Sequence, residues 1–157
     1  MKKFKLTSEF IVDISGVKLF RIKALIEFGN VKAGDLGGYI EKEENLSHMG
    51  DAWVSDDARI SGNAQVFGNA LVFGDAQVFG DARVSGDKDY AYAHGFGSCN
   101  RTTTFFRLKD GDVGVRCGCF YGTLAQFRDK VCETHGETKK AQEYLMLADL
   151  MEIRFKN

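Results

Sequence analysis

The sequence predicts a mainly β protein centred on a prism of short strands, with a hairpin before it and a small mixed unit after it. Three observations predict this. Six consecutive hexads run from Asp51 (DAWVSD, DARISG, NAQVFG, NALVFG, DAQVFG, DARVSG). The 157 residues include 18 glycines and no proline. The flanking segments open on β-branched and aromatic runs punctuated by glycine and aspartate.

The hexads dictate the centre. Val54, Ile60, Val66, Val72, Val78 and Val84 fall six apart, and Ala52, Ala58, Ala64, Ala70, Ala76 and Ala82 keep the same step. Neither a helix nor an ordinary strand has this period. Short strands joined by turns do: the aliphatic residue points inward, the alanine fits near a corner, and Gly-Asn or Gly-Asp makes the turn. A run of short antiparallel hairpins is the plainer alternative. The pattern resembles the hexapeptide repeat of the left-handed parallel β-helix, in which three hexads make one coil of 18 residues. Ile40 and Leu46 carry the six-step upstream, before a slip of two residues to Val54. A further, irregular coil is therefore expected there. Phe67, Phe73 and Phe79 each follow an inward aliphatic residue and should point outward on three faces of one coil. Such a girdle needs a cover, from neighbouring prisms on one or two faces and from a folded-back terminal segment on the remainder. The family's habit of packing three prisms about a threefold axis implies a homotrimer, with these rings at the oligomer interface.

Residues 9–24 read as a hairpin around Ser15-Gly16, and the leader through residue 35 serves as an N-terminal cap for the coil end. Residues 36–87 form the β-helix, and 88–157 a C-terminal ββαα domain. In the tail, Thr102 to Leu108 is a strand, Lys109 to Asp112 a turn and Val113 to Cys117 the return strand. Thr123 and Gln126 form a capping box before a helix ending at Gly136, and a second helix starts near Thr138. Leader GDLGGYIEKEENLS, hexads, and the tail motifs GFGSCNRTTTFF and VRCGCFYGTLAQF together resemble an uncharacterised class of hexapeptide-repeat proteins of bacteriophages and prophages. That resemblance implies origin and fold but brings no chemistry.

Composition narrows the classes. With 44% hydrophobic and 27% charged residues the chain is neither a disordered tail nor a membrane protein. A net charge of −1 argues against general nucleic-acid binding. Residues 51–87 hold two basic and six acidic side chains, so the repeat is the acidic part. Met1-Lys2-Lys3 leads into no apolar run, and four cysteines without an export signal read as reduced thiols in the cytoplasm of a bacterial host cell.

Three constellations could carry chemistry. Hexapeptide acyltransferases place a histidine in an intersubunit cleft, and His48, beside the slip, is the candidate base; a solvated or capping role is the simpler reading. In the stretch 95–104, Gly97, Ser98, Asn100, Arg101 and Thr102 offer backbone and side-chain donors to an anion, with Arg116 as a second phosphate partner and Tyr90, Tyr92 or Phe96 for stacking. The plain alternative is a glycine-rich linker. Cys117, Cys119, Cys132 and His135 could hold zinc, but the C-x-C spacing is unusual for it and core thiols are common. No metal and no cofactor are expected.

The resulting expectation is a non-catalytic binding protein that antagonises bacterial defence, by sequestering a nucleotide-type signal or docking on a defence protein. The defence element rests on the phage resemblance. The competing readings are an acyltransferase using acyl-coenzyme A and a structural, virion-associated module.

Overall fold

The computed structural model describes residues 2–97, 101–118 and 120–156, excluding the side chain of Asp87. The protein is mainly β. Two strands, β1 (Phe4–Val12) and β2 (Lys18–Ala24), form the leading hairpin, and β3 (Leu36–Ile40) pairs antiparallel to β2. Six two-residue strands follow: β4 (Trp53–Val54), β5 (Arg59–Ile60), β6 (Gln65–Val66), β7 (Leu71–Val72), β8 (Gln77–Val78) and β9 (Arg83–Val84).

The repeat closes as a solenoid because its pairings are parallel and 18 residues apart. Val54 pairs with Val72, Ile60 with Val78 and Val66 with Val84, giving three ladders around the axis. All six inward aliphatic residues and all six corner alanines are fully buried. The upstream turn pairs 20 apart instead: Ile40 with Ile60 and Leu46 with Val66. Those two extra residues are the slip seen in the sequence, and they hold the turn carrying Met49 and Gly50.

Gly80 shows why the turns need glycine. Its φ is +68°, and a Cβ there would strike the Tyr121 hydroxyl of the tail. Gly80→Ala is therefore expected to cost about 2 kcal/mol in urea unfolding, through left-handed strain and displacement of Tyr121. Gly86→Ala, where the backbone is extended and the space open, is expected to be neutral.

The leading hairpin is longer than the sequence suggests. β1 begins at Phe4, whose ring is buried with the repeat's aliphatic residues. The Lys3 ammonium donates to Ala52 O at 2.6 Å and Gly50 O at 3.3 Å, over the Phe28 ring. Burial lowers its pKa to about 8, against the opposing pull of Asp51.

The tail also differs from the expected ββαα order. It holds four antiparallel strands, β10 (Tyr90–Phe96), β11 (Arg101–Arg107), β12 (Val113–Cys117) and β13 (Phe120–Thr123), then α1 (Leu124–His135) and α2 (Lys139–Arg154). Two strands escape the sequence reading because Gly95 and Gly122 interrupt their alternation. Thr123 and Gln126 do make the capping box, and Gly136 ends α1 at φ +59°.

One face of this sheet packs on the solenoid and the other on the helices. Phe106 joins the solenoid core, whereas its neighbour Phe105 packs with Phe127 beneath α1. Phe79 is covered by Tyr121 edge-on at 4.9 Å and by the Arg116 guanidinium at 4.2 Å. Of the three outward rings, Phe79 thus finds its cover in the folded-back tail of its own chain. Phe67 and Phe73 stay 38% and 48% exposed, Phe73 with the edges of Tyr90 and Tyr92 against it. No helix among the described residues is long and apolar enough to cross a membrane.

Candidate functional site

Strand parity decides where the anion-binding candidates go. Thr103 pairs with Cys117 and Thr104 with Arg116, so Arg101 and Cys117 belong to the helix-facing side and Thr102 and Arg116 to the solenoid-facing side. The two arginines read as joint phosphate partners are therefore not brought together. Arg116 is buried between the Phe79 ring and Asp13 Oδ2 at 3.8 Å, and it ties the leading hairpin to the tail. Thr102 bonds His94 Nδ1 at 2.8 Å in a separate groove with Tyr39 and Arg59.

Arg101 lies elsewhere, at the mouth of a cavity of about 220 Å³ between the sheet and α1. Lys130 and His135 stand on the same rim, and Phe120, Phe127 and Tyr144 form its apolar wall. Gly97 lies beside one of these rings: a Cβ on it would collide with the Tyr144 hydroxyl. Of the glycine-rich stretch, Arg101 thus lines the cavity and Gly97 meets the tip of its Tyr144 side chain. Ser98, Cys99 and Asn100 lie outside the described residues.

The wall is rigid. Phe127 meets Tyr144 edge-on at 5.6 Å, and the His135 ring stacks on Tyr144 at 5.8 Å. Tyr144 Oη lies 3.7 Å from Cys117 Sγ, which also accepts from Thr103 Oγ1 at 3.3 Å. Burial, then the Cys117 contact, pushes the Tyr144 phenol above its ordinary range, so it stays protonated at neutral pH. Lys130, Phe120, Phe127 and Tyr144 were not among the sequence candidates. Phe127 and Tyr144 fall at core spacing on their helices, and nothing in that spacing links them to Arg101.

The other candidates fall into structural settings. His48 Nδ1 accepts from the Lys3 backbone N–H at 3.0 Å, its ring stacks on Phe4 at 4.2 Å, and Nε2 is buried 3.5 Å from Glu43 Oε1. Glu43 also meets Lys2 Nζ at 3.0 Å, which holds its carboxyl below the usual range, with a smaller contribution from His48. Of the zinc candidates, Cys117 is buried in the tail core and Cys132 is exposed on α1; Cys119 lies outside the described residues. No three metal-ligating side chains converge among the described residues.

Among known families, the YdcK beta solenoid repeat matches residues 64–78 and 76–87. This supports a β-solenoid repeat in the centre of the chain. The comparison with curated proteins found no match.

Proposed function

We propose that the protein is a non-catalytic binder of a small anionic, aromatic ligand of nucleotide type, held in the cavity beneath Arg101. The carrying observation is the convergence of two cations, Arg101 and Lys130, with the apolar wall of Phe120, Phe127 and Tyr144. Cations at a rim favour a phosphate or carboxylate, and aromatic rings in the wall offer faces and edges to a base. His48, the acyl-transfer candidate, is engaged at Nδ1 and buried at Nε2, which favours binding over that chemistry.

On this reading the solenoid is left-handed, the leading hairpin is its N-terminal cap, and the exposed Phe67 and Phe73 rings carry self-association towards a trimer. The leader and tail motifs shared with phage and prophage proteins extend the proposal to antagonism of host defence. A protein that retains a nucleotide signal without turnover would act in that way, as would one docked on a defence protein.

A thermal-shift panel of linear and cyclic nucleotides tests the binding reading. At least one is expected to stabilise the protein and to be recovered chemically unchanged. Arg101→Ala is expected to weaken that binding about tenfold or more, while Arg116→Ala, on the other face of the sheet, leaves the affinity in place. Absence of any shift across the panel removes the proposal.

A further inference from the structure

We propose a second small-molecule site, on the outer wall of the solenoid at β5 and β8, that takes a free amino acid with a short aliphatic side chain. Arg59 binds its carboxylate, Asp75 its ammonium, and the side chain enters the cavity beside Ile14 and Leu19. That cavity, of about 130 Å³, lies between the hairpin tip and Arg116 and Gly118 of the tail. It adjoins the groove that holds Thr102 and His94, and Arg59 and Gln77 line both. Arg59 therefore stands at the passage between the two.

Unsatisfied polar groups mark this passage. The Arg59 guanidinium, the Gln77 amide and the Ser61 hydroxyl have no hydrogen-bond or ion-pair partner among the described residues. Ser61 is nonetheless only 4% exposed. Buried polar groups are ordinarily paired, so three unpaired ones around a single cavity point to a polar ligand. Its sign follows from the two arginines. Arg116 has its charge answered by Asp13 at 3.8 Å, whereas that of Arg59 calls for an anion.

The outer groove has the opposite need. Asp57 and Asp75 hold the same position on consecutive rungs, two residues before Arg59 and Gln77, which pair. Their backbones therefore stack about 4.8 Å apart, and both residues line the groove. Like charges in register repel. Asp57 has Arg21 at 3.8 Å, but Asp75 has no ion-pair partner among the described residues. Of the other polar groups there, His94 is engaged by Thr102 and Tyr39 by Arg21. An ammonium is the group this end lacks. A ligand with a carboxylate and an ammonium on one carbon meets both demands. A cavity of about 150 Å³ holds a benzene ring, so this slightly smaller one suits a side chain of about three or four carbons.

This site is independent of the cavity at Arg101. Titration calorimetry on the full chain tests it with alanine, valine and leucine, each beside its des-amino acid and its decarboxylated amine. At least one amino acid is expected to saturate the protein below about 1 mM. Both of its truncated counterparts are expected to bind about tenfold more weakly or worse. Arg59→Gln and Asp75→Asn introduce residues that the repeat already carries at those positions, as in Gln77, Asn63 and Asn69, so both variants keep the fold. Each is expected to weaken binding about tenfold, whereas Arg101→Ala leaves it unchanged. No saturation by any of the three, a truncated counterpart that binds as well as its amino acid, or an affinity unmoved by Arg59→Gln overturns the proposal. Loss of binding in Arg101→Ala also overturns it, by placing the ligand in the other cavity.

Discussion

Phe106→Ala is expected to lower the unfolding free energy by about 3–5 kcal/mol. Phe106 is fully buried, belongs to the solenoid core although it sits on β11, and stacks on Tyr121 at 6.3 Å. Removing the ring opens a cavity at the junction of two parts of the molecule, where neither can collapse without shifting the other. The loss should therefore show as uncoupling as well as weakening. Trp53 is the one tryptophan and lies buried in the solenoid, while most helical signal comes from α1 and α2. In the wild type, fluorescence and far-ultraviolet dichroism should report one urea transition. In the variant the helical signal should melt first. Phe73→Ala, at a half-exposed ring, should cost under about 1 kcal/mol. Coincident transitions in Phe106→Ala with a loss below that of Phe73→Ala would sink the idea.

Stability is expected to rise, not fall, as the pH increases from about 8 towards 10. The Lys3 pKa is about 8 in the folded chain against an ordinary 10.5. Below about 8 both states are protonated and the fold carries the cost of a buried ammonium. As the pH climbs past 8 the folded state sheds its proton while the unfolded state keeps its own, so the cost is relieved. The gain is on the order of 1–3 kcal/mol over the window. Above about 10 the Tyr144 phenol acts in the opposite sense: its pKa is raised by folding, so the unfolded chain ionises first. Subtracting the profile of Lys3→Met from that of the wild type isolates the Lys3 contribution. A difference that stays flat between pH 8 and 10 contradicts this account.

The centre of the fold was legible because closing a coil every 18 residues leaves little freedom. Val72 or Ala70 cannot exchange places with Phe73 without putting a ring inside and a small residue at the surface. Even the irregular coil was visible, since the step from Leu46 to Val54 is longer by the two residues that reappear in its pairing with Val66. The helix caps were legible for a local reason: Thr123, Gln126 and Gly136 act on their own turn. Features set by long-range register were not. Whether Arg101 and Arg116 share a face depends on how β11 and β12 align, which their own residues do not encode. Lys3 gave no signal, because a lysine ordinarily stays in water, and only the Gly50 and Ala52 carbonyls that meet its ammonium make burial worthwhile.

The bond between Asp13 and Arg116 constrains how this protein can change. Asp13 sits at the tip of the leading hairpin, its Oδ1 held by the Ser15 and Val17 amides, while Arg116 belongs to the tail. A repeat built from interchangeable 18-residue rungs would ordinarily tolerate gain or loss of a rung. Here, one rung more would carry the tail about 4.8 Å further along the axis and pull the guanidinium from its carboxylate. The clasp works as a gauge of length: duplication or deletion within the hexads leaves a sound column whose two flanks no longer meet.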